Sequence, residues 1–183
     1  MLKNLLIYIM FLILPFNFIS CSQKNSIYNE VANSDDVRTI QNVPFVKQKD
    51  QFCGPAAMAS VLNFYGQNIS QEEISKDVYT PELNGALISD MENFAREMGY
   101  KVQTINGDSN KLTSLIDEGV PPIVLVDLGM WIVSVPHYYV VYGYNKSKTT
   151  FLIYTGFHNK EINFTDLDKE WEKMNRLMLI VRK

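Results

Sequence analysis

Cys53 heads an apolar-periodic stretch, Cys53-Gly-Pro-Ala-Ala-Met-Ala-Ser-Val-Leu, and Gln48 stands five residues before it. The chain has one other cysteine, Cys21, which closes an N-terminal apolar run. Cys53 therefore has no evident disulfide partner and no cluster of metal ligands around it. A thiol at a helix N-terminus feels the positive end of the macrodipole, which favours thiolate. That is the setting of a cysteine nucleophile, and such a nucleophile needs a base that is near in space rather than in sequence. There are two histidines. His137 opens Pro136-His-Tyr-Tyr-Val-Val-Tyr-Gly, and a strand start is a rigid mount for an imidazole. His158 lies in the polar run Phe157-His-Asn-Lys and has no such setting. Alone, His137 reads as a structural histidine; behind a helix-heading cysteine it reads as the other half of a pair.

The elements that must position these groups follow from periodicity and turn residues. Ala56, Ala57, Ser60, Val61 and Phe64 recur at helical spacing after Cys53, and Gly66 stops the helix. Pro55 falls in the first turn, where a missing N–H costs little. Val43-Pro-Phe-Val ahead of the helix reads as an irregular or edge strand. Ser70-Gln-Glu-Glu73 is a capping box that starts a second helix. A third helix is expected over 86–98 and a fourth over 109–118, each ended by glycine. Strands are expected at 100–105, 123–126, 137–144 and 151–154, the last two joined by the turn Asn145-Lys-Ser-Lys. A helix over 165–174 and a strand over 177–181 close the chain. Helices first and a mostly antiparallel sheet afterwards is an α+β order.

Composition narrows the function. The chain has 183 residues, 46% hydrophobic, and a net charge of -3, which suits one globular domain and gives no electrostatic case for nucleic acid. There is no P-loop, so no ATP site is expected, and the cysteine and histidine spacings fit no zinc pattern. No cofactor is expected. Residues 1–20 carry Lys3, an apolar core and Ser20 just before Cys21, the layout of an export signal. The stretch resembles the lipobox of bacterial lipoproteins, which implies a lipid on Cys21 and a bacterial cell-envelope location outside the cytoplasm. A plain signal or an uncleaved anchor is the alternative. Residues 21–41 are polar and read as a linker, which leaves 42–183 as the folded domain.

Gln48, Cys53-Gly-Pro-Ala and His137-Tyr-Tyr-Val-Val-Tyr-Gly-Tyr together resemble the papain-like cysteine peptidases that process double-glycine bacteriocin leaders. The likeness runs from about Val43 to Val181. It implies a papain-like fold, a helical lobe followed by an antiparallel sheet lobe, and a peptide or protein substrate. It also implies roles: Cys53 as nucleophile, His137 as base and later acid, and Gln48 as an oxyanion donor beside the Cys53 N–H, with Gln51 a weaker candidate. The family usually places an acidic residue after the strand that follows the histidine strand, where it orients the imidazole. Here Thr155 stands in that place. Its hydroxyl is expected to accept from the imidazole, with Asn159 or Asp166 as other orienting groups if the next loop folds back. The leader peptidases are often fused to a transporter and its ATPase; this chain is expected to be a standalone domain on a lipid, so leader specificity is not carried over. Two other readings share the fold: a peptide-binding module that has lost the reaction, and an amidase or acyltransferase acting on cell-wall peptide.

Overall fold

The computed structural model describes residues 36–183. Its elements alternate in the expected order. Strand β1 (Val37–Thr39) precedes helix α1 (Cys53–Phe64) and helix α2 (Gln71–Val78). A two-stranded ribbon of β2 (Tyr79–Thr80) and β3 (Gly85–Ala86) leads to α3 (Ile88–Glu97). Then come β4 (Lys101–Asn106), α4 (Ser109–Asp117), β5 (Ile123–Asp127), β6 (Pro136–Asn145), β7 (Thr150–Tyr154), β8 (Asn159–Asn163), α5 (Phe164–Glu172) and β9 (Leu177–Arg182). The main sheet runs β4-β9-β5-β6-β7-β8, with β1 added to β6, and every pairing in it is antiparallel. This is the α+β architecture expected of the chain.

Helix α1 is the pivot of the helical lobe. Gly54 to Leu62 are all buried, as befits a helix that is apolar on every side. It packs on α2, α3 and β6. Helix α2 starts at the anticipated capping box: the Ser70 side chain accepts from the Glu73 N–H while the Glu73 carboxylate accepts from the Ser70 N–H. On the far side of the sheet, Trp171 of α5 is buried and its Nε1–H donates to the Leu177 carbonyl at 2.7 Å.

Strand β6 is the longest and has three partners. Its first half pairs with β5 through Pro136 to Val140. Its second half pairs with β1 through Gly143 to Asn145. Strand β7 runs along the other edge from Val140 to Asn145, with a register shift between Val141 and Gly143. Past the Val140–Tyr154 pair, β6 and β7 separate.

Three departures from the sequence reading concern the chain's irregular parts. Residues 37–39 form a strand and Ile40 is buried, so the domain begins about five residues before Asn42 and the linker is shorter than expected. Those residues have few apolar anchors of their own, and the pairing with β6 supplies the order. Val43 to Val46 form no strand; the Ser60 and Tyr154 hydroxyls donate to the Pro44 and Val43 carbonyls and fasten this segment across α1 and β7. The polar run after Phe157 is a strand, β8, whose side chains are mostly exposed because it is a sheet edge. The signal-like segment 1–20 and Cys21 lie outside the described residues. Among the described residues, no helix is long and apolar enough to cross a membrane.

Removing the cap of α2 tests its contribution. Ser70→Ala is expected to lower the unfolding free energy by about 0.5–2 kcal/mol, read from urea denaturation, while Ser75→Ala on the same helix serves as a control with a smaller effect.

Candidate active site

The chain places Cys53 as the first residue of α1, where side-chain capping is absent. Phe52 precedes the helix and offers no cap, and Pro55 has no N–H. The first-turn N–H groups that a helix leaves without partners are therefore open on the side of the thiol. Close approach to the sheet depends on Gly54. A Cβ there would lie 2.8 Å from the Ala86 Cβ and 3.1 Å from the Met91 Sδ, with the Tyr138 ring just beyond. This is the physical reason for glycine after the cysteine: it lets the head of α1 lie against the start of β6.

His137 is buried at the start of β6. Its Nε2 lies 2.7 Å from the Thr155 carbonyl oxygen. A carbonyl only accepts, so Nε2 carries the hydrogen and Nδ1 of the neutral ring holds the basic lone pair. The Phe157 ring stacks parallel to the imidazole with centroids 5.9 Å apart, and the Tyr139 ring meets it edge-on. The next residue, Tyr138, has its backbone N–H directed at the Cys53 thiol. Cys53 thus lies beside the backbone of the residue that follows His137, in the gap where β6 and β7 part. Beneath it is a small apolar cavity walled by Val46, Ala57, Tyr138, Val140 and Tyr154. A larger cleft, about 690 Å³ and lined in part by Arg38, Asp117, Tyr144 and Lys146, includes neither Cys53 nor His137 in its wall.

Gln48 is buried on the other side of the same gap. Its backbone N–H donates to the Gly156 carbonyl at 2.8 Å, and its Nε2 donates to the Asp50 carbonyl at 2.9 Å. That leaves the second Nε2 hydrogen uncommitted. Gln48 Oε1 is buried and has no donor. It rests against Gly156, whose φ of +83° suits glycine, and a Cβ there would overlap the Gln48 amide. Gln51, the weaker candidate, is exposed.

Thr155 does meet His137, but through its main-chain carbonyl and not its hydroxyl. The hydroxyl is spent within its own turn: it donates to the His158 carbonyl at 3.0 Å and accepts from the Phe157 and His158 N–H groups. Threonine and serine hydroxyls commonly close such turns. Asn159 and Asp166 do not reach the imidazole. Asn159 pairs with Tyr154 as an exposed β8 residue, and Asp166 is exposed on α5, bonded to Lys169. The acidic group whose charge reaches His137 is Glu170 of α5, which also accepts from the Tyr139 hydroxyl at 3.2 Å. Glu170, Tyr138, Gly156 and Phe157 escape a reading of the sequence because they come from three places that only the fold unites. Gly156 directly after Thr155 is the one local signal. His158 is exposed and enters only through its main chain, which closes the Thr155 turn.

Electrostatics here run against the helix-dipole expectation for the thiol. Burial pushes the Cys53 thiol up from its ordinary value, and the Tyr138, Gly54 and Cys53 N–H dipoles only partly offset this. Burial likewise pushes His137 down, opposed by the Thr155 carbonyl and by Glu170. Desolvation favours the neutral form of each group, so Cys53 rests as thiol and His137 as neutral imidazole; the two side chains are not hydrogen-bonded to each other, and the imidazole's bond is to the Thr155 carbonyl. Among the described residues no group of His, Cys, Asp or Glu is arranged to hold a metal.

The sequence profile of the Peptidase_C39 like family matches residues 40–179, the span that carries Gln48, Cys53, His137 and Thr155. The chain belongs to that family. Among solved structures it is similar to the peptidase domain of Streptococcus ComA, a bifunctional ABC transporter of a quorum-sensing pathway. The two are 26% identical, with a TM-score of 0.64 over 76% of this chain and 98% of that one. A putative C39-like peptidase from Bacillus anthracis shares the fold at 14% identity and TM-score 0.67, over 81% and 98% of the two chains. So does a double-glycine motif protease from an AMS/PCAT transporter, solved with its leader peptide, at 19% identity and TM-score 0.62 over 79% and 92%. No match was found among curated protein sequences. Membership of this family suggests a cysteine peptidase function, and the mixed helical and antiparallel architecture is the papain-like peptidase fold.

The contact between Gly156 and Gln48 has a measurable consequence. Gly156→Ala should destabilise the fold by about 1 kcal/mol or more, from a side chain in the left-handed region and overlap with a buried amide. In a Gln48→Ala background the same change should cost less. A double-mutant cycle in urea should return a coupling of roughly 0.5–3 kcal/mol; additive effects would mean that Gly156 does not hold Gln48.

Proposed function

We propose that this protein is an exported, lipid-anchored cysteine peptidase that cleaves peptide bonds with Cys53 and His137. The observation that carries the reading is Cys53 at the head of α1 against the backbone of Tyr138, the residue next to His137, with the imidazole's Nε2–H engaged by the Thr155 carbonyl. This leaves Nδ1 as the group that takes the thiol proton. Sγ attacks the carbonyl carbon of the scissile bond as its proton passes to Nδ1. The negative charge that develops on the carbonyl oxygen is met by the Cys53 backbone N–H and the free hydrogen of Gln48 Nε2. The protonated imidazole then gives its proton to the departing amine, leaving a thioester on Cys53. Water attacks the thioester with His137 again as base, releasing the acid and the free thiol. Glu170 supports the transient imidazolium at longer range than a directly bonded carboxylate.

The substrate read for this chain is a peptide, since a neighbour of the same fold was solved with a leader peptide. Attachment to a bacterial membrane, outside the cytoplasm, rests on the N-terminal sequence, its apolar run and Ser20-Cys21. A peptide-binding module without turnover is the second reading, favoured by the absence of a carboxylate in contact with the imidazole.

Incubation with a mixed peptide library, followed by mass spectrometry of both products and enzyme, separates the two. Wild type should generate new peptide termini and a transient acyl adduct on Cys53, and Cys53→Ala neither. Gln48→Ala should lower kcat by roughly 10²–10³-fold, the effect of losing one oxyanion donor. Wild-type output equal to the Cys53→Ala blank would favour the binding module.

Two further outcomes follow from the geometry. Thr155→Val should keep turnover within about tenfold, because the group that holds the imidazole is main chain; a larger loss would assign the hydroxyl a direct part. In the pH profile, burial lowers His137, so its neutral, basic form persists below the ordinary imidazole value of about 6.5. The acid limb of kcat/KM should therefore have its midpoint below about 6.5, and a midpoint above that value would contradict a desolvated base.

A further inference from the structure

The loop between β5 and β6 carries the most exposed apolar surface of the described chain. Trp131 and Ile132 are 101% and 99% exposed, and Met130, Val133 and Val135 are also open to solvent. No charged residue lies between Asp127 and His137. Trp131 and Ile132, fully exposed, point outward and do not wall the gap at Cys53. The loop is nonetheless built. Asp127 Oδ1 accepts from the Gly129 and Val135 N–H groups at 2.7 Å, and its Oδ2 accepts from the Ser134 hydroxyl. Lys173, just past the end of α5, donates to the Gly129 carbonyl at 2.7 Å. The Leu128 N–H donates to the Val135 carbonyl, and the Val133 N–H to the Met130 carbonyl. Trp131, at the turn, has φ of +61°, where glycine or asparagine would be less strained. A bulky aromatic has been placed where turn chemistry opposes it, on a base that is tied from three sides.

We propose that this tip, Met130 to Val133, inserts into the interfacial region of a lipid bilayer and is a second membrane contact of the protein. The proposal rests on the lipid-anchor reading of Cys21 for its location. Tryptophan and aliphatic side chains without charge match the membrane–water interface, and an apolar patch that projects this far marks an interaction site. A bilayer offers few groups to satisfy backbone N–H donors, and four of the loop's N–H groups are satisfied internally. A partner strand would require those donors free. The reach of the chain allows the placement. Val37 pairs with Asn145 at the far end of β6 from the tip, a ten-residue strand of about 33 Å. The sixteen residues from Cys21 to Val37 extend to at most about 55 Å. A chain of that length can span the distance, and because the tip leads directly into His137, insertion would hold the site at the membrane surface. The substrate class that this favours is a peptide at or emerging from that surface.

The test reads tryptophan emission of the full chain in vesicles of phosphatidylethanolamine and phosphatidylglycerol with brominated acyl chains. Trp171 is buried, so the wild type minus Trp131→Phe difference isolates Trp131. The expected result is bromolipid quenching and at least fivefold loss of iodide quenching, both absent from the difference when Trp131 is replaced. Ile132→Ser should reduce the bromolipid effect by roughly tenfold or more in partitioning. Protein that is fully vesicle-bound with Trp131 still open to iodide overturns the proposal and leaves the lipid anchor standing. Protein that fails to co-sediment as lipoprotein defeats the anchor reading; vesicles titrated against that same chain then decide the tip separately, an unshifted Trp131 emission overturning it. Shielding of Trp131 without lipid, dependent on protein concentration, would assign the tip to a second copy of the chain. Shielding only on addition of peptide would assign it to substrate. Either outcome overturns insertion.

Discussion

The separation of β6 from β7 beyond the Val140–Tyr154 pair is the constraint on which the site depends. Two paired strands satisfy each other's main-chain groups; two that part must find other partners. On one side of the gap the Tyr138 N–H turns to the thiol. On the other, the Thr155 carbonyl takes the imidazole and the Gly156 carbonyl takes the backbone of Gln48. Three consequential groups are thus held by backbone, which a side-chain substitution cannot delete. This explains how threonine can stand where the related peptidases usually carry an acid and still keep the histidine in place. What is lost is charge, and Glu170 returns part of it from another element.

Burial decides the resting charge state of the pair. A helix N-terminus and three N–H dipoles favour thiolate, yet the thiol sits in a gap closed by Tyr138, Val46 and Tyr154, and desolvation outweighs them. The same burial keeps the imidazole neutral. In the proposed reaction the proton is then still on sulfur, so attack and proton transfer would belong to one step, and the N–H dipoles around Cys53 would act on charge as it develops rather than on a preformed ion.

The residues with chemistry were legible because each announces itself locally. Cys53 follows a non-helical run and begins a helical period, His137 begins an alternating apolar strand, and Ser70 and Glu73 spell a capping box. Papain-like order was legible for the same reason: helices and strands differ in period, and most boundaries fall within one or two residues of the expected ones. The parts that were not legible depend on contacts distant in sequence. Strand β1 looks like linker until β6 receives it, and β8 looks like loop because an edge strand need not be apolar. Thr155 was found by position, but a side-chain bond was expected where a carbonyl acts, since sequence displays side chains and conceals the direction of the main chain. Glu170 lies 33 residues from His137 and no spacing rule connects them.

The polar edge strand β8 has a consequence for how many copies can share a small area. It pairs on one side only, with β7, and its other side is open. An open edge is a template on which a second sheet can add. Here its centre is Glu161, flanked by Lys160 and Ile162. Two copies meeting edge to edge, antiparallel about Glu161, would set carboxylate against carboxylate, and the one apolar residue of the strand, Ile162, is already buried in its own chain. Such a rim repels its own image. On the proposed lipid anchor, chains confined to two dimensions would encounter each other far more often than chains in free solution, and a sheet with this border would stay separate under that crowding, with the gap at Cys53 unblocked by neighbours.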